Sequence, residues 1–148
     1  MIGGFAAETQ GVGWRTLDVD IVIAAEETTY VAVAAALVEL DAWCLVPKGS
    51  TQRIRPDVGM LRVMNGTLLL RTRHGRLDIM KSADSGSTGE RYETLAAEAV
   101  ETLADGRPYL VASLTSILRM KRAANRPKDQ KVLSLIEAAI LEKDEGAH

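Results

Sequence analysis

The chain has a single cysteine, two histidines and few aromatic side chains among its 148 residues. Cys44 has no partner for an internal disulfide, so the fold must be held by its core, as suits a reducing compartment. The histidines are His74, in a predicted turn, and His148 at the last position, which argues against a zinc site. Long apolar runs are also missing. The longest, Tyr30 to Val38, falls well short of the roughly 20 residues that a membrane-crossing helix needs. Met1-Ile2-Gly3-Gly4 has neither the basic start nor the apolar core of a signal peptide. Neither sign of charge dominates, with a formal net charge of −2, so no charged tail for nucleic acid is implied. These absences predict a cytoplasmic protein with no membrane segment.

A hydrophobic share of 47% against 26% charged residues is enough for a buried core, and the length suits one domain over 1–148. Charge is unevenly placed. Arg53, Arg55, Arg62, Arg71, Arg73 and Arg76 share a stretch with few acids. Such a patch is either a solvated face or a surface for a phosphate-rich ligand.

The most informative pattern is Asp18-Val19-Asp20 at the mouth of a β-branched run, with a strand predicted over Leu17–Ala24. Side chains alternate along a strand, so both acids leave the same face roughly 6–7 Å apart. Close carboxylates repel each other unless a cation lies between them, and oxygen-only ligation suits Mg²⁺. A solvated acidic pair is the plainer alternative. Short helices are predicted at Phe5–Gln10 and Tyr92–Ala97, and a longer one over Thr28–Leu40, opened by Thr28 or Thr29.

A β-meander is predicted for the middle of the chain. Asn65-Gly66 and His74-Gly75 are two-residue hairpin signals. With both turns so placed, Arg62 pairs with Leu69 and Arg71 with Asp78. One face then carries Leu61, Val63, Leu68, Leu70, Leu77 and Ile79. The other carries Arg62, Leu69, Arg71, Arg73, Arg76 and Asp78, too much charge for core, so it looks into solvent or a cleft. An Arg71–Asp78 ion pair across the strands is the alternative use of that acid.

Further on, Lys81–Glu90 reads as a Ser/Gly-rich loop. Val100–Leu103 and Tyr109–Ala112 read as short strands around Asp105-Gly106-Arg107-Pro108. Ser113 is placed to cap a helix over Leu114–Ala124, and Pro127 to open another reaching Lys143. Lys121 continues the apolar stripe of Leu114, Ile117 and Leu118, either snorkelling to an edge or entering a site. Asp129 heads the stripe of Val132, Leu133, Ile136 and Ile140, as a cap or as a partner of Lys121 or Arg126.

Gly3-Gly4, Thr16-Leu17-Asp18-Val19-Asp20, Leu77-Asp78-Ile79, Ser113–Leu118, Met120-Lys121-Arg122 and Arg126–Asp129, taken in order, resemble a known pattern. It is that of a nucleotidyltransferase of the DNA-polymerase-β-like superfamily, in its minimal, toxin–antitoxin-associated branch that includes the AbiEii-like proteins. The resemblance implies an α+β fold: a mixed sheet backed by helices on one face, with a C-terminal helical pair. It implies that Gly3 and Gly4 offer backbone N–H groups to a triphosphate, since only glycine admits so close an approach. It also implies that Asp18, Asp20 and Asp78 bind Mg²⁺ and act as the catalytic carboxylates, and that Arg71 and Lys121 meet phosphate.

Two departures from that pattern stand out. Gly4 replaces the serine usual after the first glycine, and only Met1-Ile2 precedes the pair where the family has a helix and a strand, an abbreviated N-terminal lead-in. The implied reaction is transfer of a nucleotidyl group from an NTP to a hydroxyl on tRNA or protein, within a toxin–antitoxin pair. The alternative is a degenerate module that binds nucleotide or a protein partner without turnover.

Overall fold

The computed structural model describes residues 1–83 and 89–146. Helix α1 (Gly3–Glu8) leads into strand β1 (Asp18–Val22), whose apolar, β-branched inner half suits burial within a sheet. Helix α2 (Glu27–Glu39), the short strand β2 (Trp43–Cys44) and helix α3 (Val58–Val63) follow. Strands β3 (Leu68–Thr72) and β4 (Gly75–Met80) then form a hairpin. The four strands make one mixed sheet in the order β1-β4-β3-β2. Strand β1 runs parallel to β4, and the other neighbours are antiparallel. A parallel neighbour needs a long crossover, which the α2-to-β3 segment provides.

Alternation sorts the sheet into two faces. On one, Leu70 and Ile79 are fully buried and cluster with Ile23, Tyr30 and Leu37 and with Leu61 of α3. Each such side chain contributes about 1.5–3 kcal/mol by leaving water, so truncating Leu70 or Ile79 to alanine would cost about 2–5 kcal/mol. The other face carries Asp18, Asp20 and Val22 on β1, Arg76, Asp78 and Met80 on β4, and Leu69 and Arg71 on β3. At its inner end Val22 and Met80 join a second cluster with Ala6, Ile117, Val132 and Ile136. Helices therefore pack against both faces rather than one, and only the acidic end of this face stays open.

The predicted meander is partly corrected. Residues 58–63 are helix, not strand, because Asp57 caps them: its carboxylate accepts the Met60 N–H at 2.7 Å. Asn65-Gly66 is consequently no hairpin turn, Arg62 does not pair with Leu69, and β2 takes the place beside β3. The β3–β4 turn is Arg73-His74, one residue earlier than expected, so Arg71 pairs with Arg76 and Leu69 with Asp78. The predicted Arg71–Asp78 pairing is thus wrong. The division into faces survives, because a register offset of two residues keeps every side chain on its side. Helix α1 starts at Gly3 rather than Phe5, and α2 starts at Glu27 with no side-chain cap from Thr28 or Thr29.

Beyond the sheet, β5 (Ser82–Ala83) pairs with β6 (Glu90–Arg91), and residues 84–88 of the predicted loop lie outside the described residues. Helix α4 spans Tyr92–Ala97, as expected. Strands β7 (Val100–Ala104) and β8 (Arg107–Val111) form a hairpin whose turn, Asp105-Gly106, has positive φ at both residues, as a type I′ turn requires. Ser113 caps α5 (Leu114–Ala124) by accepting the Ser116 N–H at 3.1 Å. A 3₁₀ turn at Pro127–Asp129 feeds α6 (Gln130–Gly146). Among the described residues no helix is long and apolar enough to cross a membrane.

Met1 and Ile2 are stitched between distant strands. The Met1 amino group donates to the Leu110 carbonyl at 2.8 Å, and the Met1 carbonyl accepts the Ala112 N–H at 2.9 Å. The Ile2 N–H donates to the Asp20 carbonyl at 2.9 Å. These bonds deliver Gly3 directly against β1.

Candidate active site

Register decides which acids meet. In the parallel ladder Asp18 lies opposite Arg76 and Asp20 opposite Asp78. Register partners on adjacent strands point the same way, and neighbouring strands lie roughly 4.8 Å apart. The three carboxylates and one guanidinium therefore form a compact block at the open end of the sheet. Arg76 bridges the acids loosely, with Nε 3.5 Å from Asp18 Oδ1 and a terminal nitrogen 3.9 Å from Asp78 Oδ1. Neither contact has hydrogen-bond geometry. Asp78 Oδ1 and Arg76 Nε are both buried without a hydrogen-bond partner. An unpartnered buried carboxylate oxygen is costly, and in a native site it calls for a ligand, ion or water.

The block is electrostatically strained. Burial, then the charges of Asp78 and Asp18, push Asp20 up to about 6, against the opposing pull of Lys121 and Arg126. Asp78 is also raised, first by burial and then by Asp18, with Arg76 and Lys128 opposing. Carboxylates crowded in this way gain from any added cation.

Gly3 closes one side of the block. Its φ is +76°, and a Cβ there would lie 2.2 Å from Asp20 Oδ2. Both the backbone conformation and the approach to Asp20 demand glycine. Gly4 is buried, and a Cβ on it would press on Thr16 at 3.1 Å.

Opposite the acids stands a cationic wall from the C-terminal helices. Asp129 is 3% exposed and holds two cations: Lys121 Nζ donates to Oδ1 at 2.9 Å and Arg126 Nε to Oδ2 at 2.7 Å. Burial alone would raise its proton affinity, but the hydrogen bonds from Lys121 and Arg126 hold it below the usual range. Asp129 thus serves neither as a simple cap nor as a partner of one base alone. It pins Lys121, whose side chain is 11% exposed, at the wall facing Asp20.

Gly3, Gly4, Asp18, Asp20, Arg71, Asp78 and Lys121 all line a cavity of about 750 Å³ between these walls. A second cavity of about 320 Å³ adjoins it through Gly3, Asp20, Asp78, Lys121 and Arg126, and has an apolar lining from Ile2, Leu69, Met80 and Ile117. The basic stretch does not act as one surface. Arg62, on α3, is drawn to Glu27, with Nε 3.1 Å from Oε2, and Arg73 reaches the Glu39 carbonyl. Only Arg71 and Arg76 of that stretch enter the cavity.

Arg126 and Lys128 also line it, as do Trp14 and Arg15. The Arg126-Pro127-Lys128-Asp129 run was the available signal for the first two, since proline starts a turn with fixed φ and aligns the residues around it. Among the described residues, no group of three or more His, Cys, Asp or Glu side chains is so arranged that it could hold a metal ion by itself in this structure. Comparison with known proteins finds no family model that matches this sequence and no characterised protein that matches it.

Proposed function

We propose that this protein is a Mg²⁺-dependent nucleotidyltransferase that moves a nucleotidyl group from an NTP to a hydroxyl on tRNA or on a protein. The observation that carries this reading is the acidic block of Asp18, Asp20 and Asp78 facing Lys121, Arg126 and Lys128 across one cavity. Acids on one wall and cations on the other suit a metal-bound polyphosphate.

The residues fit the metal. Asp78 Oδ1 is buried without a partner, and burial together with the charges of Asp78 and Asp18 holds Asp20 well above the usual carboxylate range. Mg²⁺ commonly keeps waters and takes substrate phosphates as ligands, so an open carboxylate set suits it better than a closed cage. Held by Asp18, Asp20 and Asp78, it would neutralise charge on the phosphate undergoing attack and on the departing diphosphate. Lys121 and Lys128 would neutralise the outer phosphates, with Arg71 at the cavity's other rim. Gly3 and Gly4 would offer backbone N–H groups to the polyphosphate. Asp78, whose Oδ1 has no hydrogen-bond partner, would also help take the proton of the attacking hydroxyl as the new P–O bond forms and diphosphate leaves.

The test is direct. Purified protein with Mg²⁺ and each labelled NTP should label RNA or protein, and Asp18→Ala/Asp20→Ala should abolish the label. Labelling that survives the double substitution would overturn the reading.

A second reading rests on Arg76, whose guanidinium lies between Asp18 and Asp78 and already offsets part of their charge. A binding module of a toxin–antitoxin pair, holding nucleotide or a protein partner without turnover, would use the same block with Arg76 in place of a metal. Calorimetry showing nucleotide binding unaffected by Mg²⁺, with no transfer, would favour it.

A further inference from the structure

One register row crosses the whole open face of the sheet. Asp18 lies opposite Arg76, Arg76 opposite Arg71, and Arg71 opposite Trp43. At roughly 4.8 Å per strand, Trp43 stands roughly 14 Å from Asp18. The Arg55 guanidinium lies 4.0 Å from the centroid of the Trp43 ring, and that of Arg53 lies 5.4 Å from it. Asp41 steadies Arg55 at 2.8 Å. Among the described residues Arg71 and Arg53 form no ion pair, and both are exposed. The neighbouring row, Asp20, Asp78 and Leu69, continues to Leu45, whose N–H donates to the Leu69 carbonyl at 2.8 Å. Leu69 is 41% exposed and Leu45 37%.

The face therefore runs from the acidic block and its partner Arg76 outward through Arg71 to an aromatic–guanidinium stack, with apolar side chains alongside. A sheet presenting cations in line with stacking surfaces matches a single polynucleotide strand. Phosphates meet the arginines, and unpaired bases lie on aromatic or guanidinium planes. A duplex hides its base faces and would leave the stack unused.

We propose that this face is a track for single-stranded RNA, which enters over the Trp43–Arg55 stack and passes Arg71 with its end at the acidic block. The proposal deepens the nucleotidyltransferase reading and rests on it for the role of the strand, as the acceptor of the transferred group. The outer part of the track, Trp43, Arg53 and Arg55, lies outside the proposed chemistry.

Fluorescence anisotropy with a labelled oligouridylate of roughly twelve nucleotides tests it, in low salt and without NTP. Expected is binding that weakens as salt rises and is tighter than that of a blunt RNA duplex of equal length. Trp43→Ala should weaken binding by at least about fivefold, with Trp43→Phe close to wild type. Arg53→Glu should weaken it and flatten the salt dependence, and at an exposed position it keeps the test valid if Trp43→Ala fails to fold. Affinity unchanged in Trp43→Ala and Arg53→Glu, or equal binding of the duplex, overturns the track. Transfer to a protein acceptor without oligonucleotide binding also removes the track and leaves the transfer reading standing. Oligonucleotide binding with these mutant effects but no transfer in any condition keeps the track and removes that reading.

Discussion

Asp20 and Asp78 are register partners on adjacent parallel strands, two carboxylates side by side with Gly3 pressed against one of them. Their repulsion is a native-state cost that only the folded chain incurs, and it shapes the pH dependence expected of this protein.

Asp20 titrates near 6 in the fold against 3.8 ordinarily, so the native state binds more protons than the unfolded state between those values. Stability from this group is present below pH 3.8 and is lost as pH rises through 6. Asp20→Asn should therefore melt higher than wild type at pH 7.5, on the order of 1 kcal/mol after allowing for partial solvent screening. The gap should close by pH 4 in thermal melts. The same substitution should lower transfer well over about 100-fold, a stabilising change that removes activity.

Asp129→Ala would strip Lys121 and Arg126 of their shared partner and leave the Lys121 ammonium mostly buried. The expected loss is about 3 kcal/mol, read as a drop in Tm of roughly 10 °C. Asp129 is held below the usual carboxylate range, so its contribution is present above about pH 4 and is lost as pH falls through its folded value. Acid melts of wild type and variant should therefore converge at low pH.

Gly3→Ala places a methyl group 2.2 Å from Asp20 Oδ2 at a φ of +76°. A destabilisation of about 2 kcal/mol or more is expected, together with loss of nucleotide binding. In a double-mutant cycle with Asp20→Ala the cost should shrink, because the carboxylate that clashes is gone, while the backbone strain persists. Additive costs in urea melts would show that Asp20 is not the obstacle.

Millimolar Mg²⁺ should raise Tm in wild type and not in Asp18→Asn/Asp78→Asn, with EDTA reversing the shift. Arg76→Gln should enlarge the Mg²⁺-dependent shift, since it removes the counter-charge that competes with the metal for Asp18 and Asp78. It should also lower stability without Mg²⁺, which differential scanning calorimetry would read.

Much of the architecture was legible because local rules sufficed. Ser113 caps α5 by its own side chain, Asp105-Gly106 turns a hairpin, and the α4 range follows from its composition. Residues 58–63 form a helix although Asn65-Gly66 signals a hairpin after them. The carboxylate of Asp57 caps that helix and Leu61 is buried under the sheet, and together these outweigh the turn signal. Arg62 and Arg73 lie near Arg71 in sequence, but each is drawn off by an acceptor on α2.

Residue order alone puts Asp18 and Asp20 on one face and Asp78 on the charged face of its hairpin. Alternation is a property of the backbone and survives a shift of register by two. It also marked Lys121 as misplaced on an apolar stripe. Packing of distant segments sets β4, rather than another strand, beside β1, which makes Asp20 and Asp78 neighbours and places Arg76 between the acids. It alone brought Asp129 under Lys121 and aligned Trp43 with Arg71. A parallel pairing between distant strands depends on a crossover and on two buried cores, and no local signal in the chain encodes it.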